Sequence, residues 1–145
     1  GAMFGVFLAQ KLNNKPLTIV GNGKQTRDFI HVYDLVEAII KSAQKSKTNR
    51  IFNVASGSET SVNKIASIIG GKTIKIPKRP GEPDRSQADI KKIKKEIKWK
   101  PKINIDKGVN LMLKIISDWN DAPVWTPKKI KKATKTWFER LSRKK

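Results

Sequence analysis

Apolar and polar positions change period several times along this chain, and each change predicts the edge of an element. Residues 3 to 13, MFGVFLAQKLN, are mostly apolar and predict a helix that stops near Asn13 and Asn14, with Pro16 opening the next element. PLTIV is a short β-prone run, and GNG at 21–23 turns the chain into a second run, TRDFIHV. The period then shifts. In DLVEAIIKSAQK the residues Leu35, Val36, Ala38, Ile39, Ile40 and Ala43 suit a helix, and Asp34 and Glu37 stand at capping-box spacing at its start. RIFNVAS has the pattern of a buried strand, followed by Gly57 and a helix, SVNKIASII, capped by Thr60 or Ser61 and stopped by Gly70 and Gly71. KTIKIP alternates as a strand. In KRPGEPDRSQAD the prolines and glycine forbid a regular element, and a helix follows from about Asp89 to Ile97. A further helix from about Asp106 puts Val109, Met112, Leu113 and Ile116 on one face.

Strands therefore alternate with helices instead of hairpin turns, which predicts an α/β architecture. The expected division is a body over 1–120 and a basic amphipathic helix within 121–145. That last helix opens with Thr126 as N-cap and Pro127 in the first turn. Ile130, Ala133, Thr134, Trp137, Phe138 and Leu141 form one stripe on an otherwise lysine-rich surface. The stripe is expected to pack on its own domain; self-association into a homodimer and an anionic surface are the alternatives.

Composition narrows the chemistry. At 145 residues one domain plus an appendage is expected. With no cysteine and a single histidine, His31, disulfides, thiolate zinc sites and histidine metal clusters are excluded, and a cytoplasmic setting is expected. No apolar run approaches the roughly 18 residues that suggest a membrane span, and the amino end lacks the charged start of a secretory signal. The net charge of +20 creates a field that attracts polyanions. Only six of the 32 basic residues are arginine, however: Arg27, Arg50, Arg79, Arg85, Arg140 and Arg143. Groove readers concentrate arginine where bidentate contact is needed, and here the charge is diffuse lysine.

Several familiar motifs fail. GNG lacks the third glycine of a dinucleotide fingerprint, Thr26 standing in its place, and is followed by a β-prone run instead of a helix. ASIIGGKT approaches a phosphate-binding loop but has Ala66 for the first glycine and follows a helix, the reverse order. Tyr33 is the only tyrosine and has Glu37 four residues on, so no tyrosine–lysine acid/base pair can come from this chain and no catalytic residue is assigned. Glu59, Glu82, Asp84 and Asp89 read as solvated loop charges, and His31, between Ile30 and Val32, as a structural histidine.

Three stretches, KPLTIVGNGKQTRDFIHVYDLVEAI, IFNVASGSETSVNKIASII and RPGEPDRSQADIKKIKKEIKWKPKINIDKGV, in this order and spacing, closely resemble the carboxy-terminal half of nucleotide-sugar epimerases and dehydratases. These are extended short-chain dehydrogenase/reductases, the family of UDP-glucose 4-epimerase and dTDP-glucose 4,6-dehydratase. The likeness covers about residues 3 to 120 and leaves the last helix outside. It implies a small substrate-binding subdomain that grips the nucleotide diphosphate of a UDP- or dTDP-sugar, while NAD, the glycine-rich fingerprint and the tyrosine–lysine pair belong to a Rossmann half not contained in this chain. By motif, Arg27 of TRDF and Arg79 of RPGE match the arginines expected on the diphosphate. Glu82 matches an acidic residue that accepts from the ribose hydroxyls. Thr18 and Val20 match the strand bordering the base, and Asn53 of FNVAS a pocket-lining asparagine. Val20 departs from the aromatic often found there, which weakens base stacking.

The arginine assignment also has a physical basis, because pyrophosphate presents fixed oxygens that suit a planar guanidinium fork better than the point charge of lysine. Asp28 is expected to hold neighbouring backbone. Two charge-assisted contacts contribute about 3 to 6 kcal/mol, against roughly 4 to 15 kcal/mol for immobilising a ligand, so binding by this half alone is expected in the millimolar range or weaker. The expectation is a substrate-binding half of an enzyme, inactive by itself. The alternative, from charge alone, is a basic nucleic-acid or anionic-surface binding module using Trp125, Trp137 and Phe138.

Overall fold

A computed structural model describes residues 3–45 and 49–142. Helix α1 (Met3–Leu12) leads into strand β1 (Leu17–Val20), then β2 (Thr26–Asp28) and helix α2 (Val32–Lys45). Strand β3 (Glu59–Ser61) runs directly into α3 (Val62–Ile69), followed by β4 (Thr73–Ile76), α4 (Lys91–Ile97), α5 (Ile105–Lys114), a 3-10 turn over Ile116–Trp119, and α6 (Pro127–Leu141). Strands β1 and β4 pair in parallel, Leu17 opposite Thr73 and Val20 opposite Ile76. Strands β2 and β3 pair antiparallel, with Arg27 opposite Thr60. The α/β expectation holds, with short strands between helices.

Apolar residues gather into two clusters. The first joins α1, β1, α3 and α5 through Phe7, Leu17, Ile19, Ile65, Ile69 and Val109. The second lies under α4 and contains Ala38, Ala55, Ile90, Ile93, Ile97 and Trp99. Caps follow the sequence closely: the side chains of Ser61, Asn104 and Thr126 accept from the backbone N–H groups of Lys64, Lys107 and Lys129. Gly70, at φ 73°, ends α3 where a side chain is disfavoured.

Three expectations are corrected. Helix α2 begins two residues before Asp34, and Asp34 is no cap: buried, it accepts from the N–H groups of Lys102 and Ile103 at 3.1 and 2.9 Å and ties α2 to the approach of α5. The second β-prone run is extended only over Thr26–Asp28, and Phe29 to His31 are irregular. RIFNVAS forms no strand. Residues 51–54 are irregular and Ile51 is 83% exposed, because nothing in the described chain offers that segment a strand to pair with.

The outer surface of α2 is unusual for the same reason. Asp34 and Ala38 face inward, whereas Val32, Val36, Ile39 and Ile40, at i, i+4, i+7 and i+8, form an apolar stripe that points into solvent. Among the described residues no helix is long and apolar enough to cross a membrane.

Candidate functional site

A cavity of about 410 Å³ opens between α1, β1, the irregular segment after β4, and α6. Thr18 and Val20 reach it from one face of β1, as the two-residue period of a strand requires. The turn after β1 depends on glycine: Gly23 has φ 74°, and a Cβ there would stand 2.0 Å from the Asn63 side-chain oxygen. The turn sends the chain into β2, where Arg27 leaves the strand.

The opposite wall comes from RPGE. Proline at the second position and glycine with φ 74° at the third make a type II turn, closed by the Glu82 N–H donating to the Arg79 carbonyl at 3.3 Å. Arg79 and Glu82 are the two ends of that turn, and both line the cavity. Nη2 of Arg27 reaches Oε1 of Glu82 at 3.2 Å, while its Nη1 donates to the Thr26 carbonyl at 2.7 Å. The other carboxylate oxygen of Glu82, Oε2, is buried with no hydrogen-bond partner among the described residues. Arg79 has no carboxylate within ion-pair distance among them either, and its guanidinium lies over the Trp137 ring, 5.8 Å from the centroid. Among the described residues, then, Glu82 Oε2 lacks a donor in this cavity and Arg79 lacks an anion. A ligand carrying hydroxyls beside a phosphate satisfies both.

Of the residues singled out in the sequence, Thr18, Val20, Arg79 and Glu82 line this one cavity, and Arg27 joins it through Glu82. The Thr18 hydroxyl is already engaged, accepting from Gln10 Nε2 at 2.9 Å. Asn53 is not brought in: it is exposed and its amide donates to the Asp89 carbonyl at 3.3 Å, beside the second apolar cluster. Asp28 holds backbone as expected, accepting from the N–H groups of Ser56, Gly57 and Ala88. Arg85, with no role assigned from sequence, pairs with Glu59; that hydrogen bond, followed by one from Thr26, holds the Glu59 carboxyl below the usual glutamate value.

Gln10, Trp125 and Trp137 went unrecognised as parts of this site. Gln10 is buried in α1 and donates both to Thr18 and to the Trp125 carbonyl at 2.6 Å, linking the approach to α6 with the cavity wall. A polar residue three positions after Phe7 on an apolar helix was the available signal. A second cavity, about 510 Å³ and mainly apolar, is lined by Phe29, His31, Tyr33, Met112, Ile115 and Trp119. There the ring Nδ1 of His31 accepts from the Tyr33 N–H at 3.2 Å, the structural use expected for it. Among the described residues no three metal-ligating side chains cluster.

The fold that carries this cavity is that of the nucleotide-sugar epimerases and dehydratases among the extended short-chain dehydrogenase/reductases. The chain superposes with a TM-score of 0.74 on UDP-glucuronic acid 4-epimerase from Bacillus cereus in complex with UDP-glucuronic acid and NAD, at 26% identity over 81% of this chain and 40% of that one. It matches UDP-glucose 4-epimerase from Thermotoga maritima with UDP-glucose at a TM-score of 0.75 and 25% identity, again over 81% and 40%. Residues 5–112 match the model of the GDP-mannose 4,6 dehydratase family, and the chain belongs to that family. Its relatives include UDP-glucuronic acid decarboxylase 4 of Arabidopsis thaliana, 35% identical over 121 residues, and the putative UDP-glucose 4-epimerase of Methanocaldococcus jannaschii, 35% identical over 113. These alignments use 79% and 74% of this chain but only 27% and 36% of the relatives' lengths. Helix α6 lies beyond the family match.

Proposed function

We infer that this chain is the substrate-binding half of an NAD-dependent nucleotide-sugar epimerase or dehydratase of the cytoplasm, and that its cavity holds the nucleotide diphosphate of a UDP- or dTDP-sugar. The observation that carries the reading is Glu82, with one oxygen on Arg27 and the other buried and unsatisfied, beside an Arg79 that has no acidic partner among the described residues. In this reading Arg79 and Arg27 meet the diphosphate oxygens, and Glu82 accepts from the ribose hydroxyls. Thr18 and Val20 border the base. Asn53 has no part in this cavity.

Catalysis needs a Rossmann partner that carries NAD, supplied by the rest of a longer chain or by a separate polypeptide. The solvent-facing stripe of Val32, Val36, Ile39 and Ile40, with Ile51 beside an unpaired β-prone segment, supports that partner, since an apolar face of this kind is normally covered. Relatives several times longer than the matched region support it too. The charge-based alternative, a polyanion binder, rests on composition and predicts no preference among nucleotides.

Titration of the full chain with UDP, UMP and a non-specific oligonucleotide tests the reading, followed by NMR shifts over a range of salt. Expected is millimolar UDP binding that exceeds UMP binding and falls on Arg27→Ala. Equal, steeply salt-dependent responses to all three ligands would support the polyanion reading instead. Turnover of a UDP-sugar by this chain with NAD alone would refute the half-enzyme assignment.

A further inference from the structure

Three of the cavity's walls belong to the part of the chain shared with the family; the fourth, α6, does not. Ile130, Ala133, Thr134 and Trp137 of α6 close one side of the space that Val20, Arg79 and Glu82 open on. The helix is fastened there by specific contacts. The Trp137 indole Nε1 donates to the Pro80 carbonyl at 2.9 Å, inside the RPGE turn itself, and the carbonyl of Trp125, two residues before α6, is held by Gln10. A Cβ on Gly81 would sit 3.6 Å from a Leu141 methyl, so the far end of the helix also rests on the turn.

We propose that α6 is a wall of the nucleotide site, and that Trp137 supplies the flat aromatic surface for the base that Val20 cannot provide. Three observations converge on this. Val20 is aliphatic and offers no ring to a heteroaromatic base, yet the cavity holding it contains an indole. Trp137 remains 43% exposed while lining that cavity, so packing leaves part of its surface open to a ligand. Its N–H is satisfied by Pro80, which fixes the ring plane before any ligand arrives and lowers the ordering cost of stacking. Arg79, the cation proposed for the diphosphate, stands next to the same ring, its guanidinium 5.8 Å from the centroid. The cavity volume of about 410 Å³ falls within the range of small-ligand sites, roughly 300 to 1,000 Å³.

No residue of α6 is fully buried. A helix whose role was to complete the core would bury its stripe; this one spends it on the rim of an opening.

This inference rests on the cavity being a nucleotide site, and the experiment separates the two. The chain, Trp137→Ala and Trp137→Phe are titrated with UDP and with inorganic pyrophosphate, following backbone amide resonances of the cavity wall present in all three. Circular dichroism of each variant verifies the fold. Expected is a weakening of UDP binding by about five- to tenfold in Trp137→Ala, with pyrophosphate binding little changed, and most of the UDP affinity kept by Trp137→Phe, which retains an aromatic face. Equal losses for UDP and pyrophosphate would mean that Trp137 acts only by steering Arg79, and would overturn the base-stacking role. Unchanged or tighter UDP binding in Trp137→Ala would mean that α6 covers the cavity without belonging to it, and would overturn the wall. If wild-type chain binds pyrophosphate and UDP alike and Arg27→Ala changes neither, the nucleotide reading itself fails, and the stacking role fails with it.

Discussion

Arg27 and Glu82 are 55 residues apart in sequence and 3.2 Å apart in space, the guanidinium leaving strand β2 and the carboxylate the end of a proline–glycine turn. The pair joins the two elements that build the candidate cavity. It also explains why a carboxylate can stand where a diphosphate is proposed to bind: Arg27 neutralises Glu82 in part, and Arg79 keeps the local charge positive.

Arg27→Ala is expected to weaken UDP binding by about 10- to 100-fold, the equivalent of one charge-assisted contact. Arg27→Lys recovers only part of this, because an ammonium cannot present two parallel donors. Calorimetry or NMR titration at constant salt reads the difference. Undiminished affinity in Arg27→Ala would remove Arg27 from the site.

The Asp28 carboxylate collects backbone N–H groups from two loops, at Ser56 and Gly57 and at Ala88. Asp28→Asn offers one acceptor oxygen in place of two and brings an amide donor toward those N–H groups. A loss of about 1 to 3 kcal/mol in unfolding free energy is expected from urea denaturation. Ligand affinity should fall only as far as the loops shift.

Gly23→Ala and Gly71→Ala separate steric conflict from backbone strain. Both glycines have positive φ, 74° and 113°, but a Cβ at Gly23 meets Asn63 at 2.0 Å and Ile19 at 2.8 Å, whereas one at Gly71 meets nothing within 4 Å. The Gly23 variant is expected to lose more stability, by about 1 kcal/mol or more, as a lower denaturation midpoint. It should also disturb β2 and with it Arg27.

Ile39→Lys combined with Val36→Lys places charge on the exposed stripe of α2. Since nothing in the described chain covers those residues, the thermal midpoint is expected to change little, while pairing with the proposed Rossmann partner is lost. Co-elution with that partner in gel filtration measures the second effect. A strong destabilisation of the chain alone would show that the stripe serves its own fold.

Glu37 and Glu59 both have folded-state pKa values below the ordinary 4.5, through hydrogen bonds from Lys102 and Lys41 to the first and from Arg85 and Thr26 to the second. A lowered folded-state value means that the stabilisation is present above pH 4.5 and is lost as pH falls through the lowered value. Chemical denaturation from pH 6 to pH 3 should show stability declining over that acid window. In Glu37→Gln with Glu59→Gln the decline is expected to be shallower, because two carboxylates no longer take up protons on unfolding.

How much was legible in the sequence follows the range of each interaction. Helix caps and stops are local, so Ser61, Thr126 and Gly70 were readable, as were the short strands of PLTIV and KTIKIP. Asp34 was misread because a capping pattern is also local, whereas its actual partners, Lys102 and Ile103, lie nearly seventy residues away. RIFNVAS was misread for a different reason: its composition suits a strand, but a strand exists only if another pairs with it.

The sequence alone determined the family, through three stretches in order, and most of the alternation of elements and the helix caps and stops, because each cap or stop depends on residue order within a few positions. Only the tertiary structure decided that Asn53 stands apart, that Gln10 braces the cavity wall, and that the stripe of α6 lies along the cavity. Those outcomes depend on which surfaces meet, and an amphipathic pattern states that a face will be covered without stating by what.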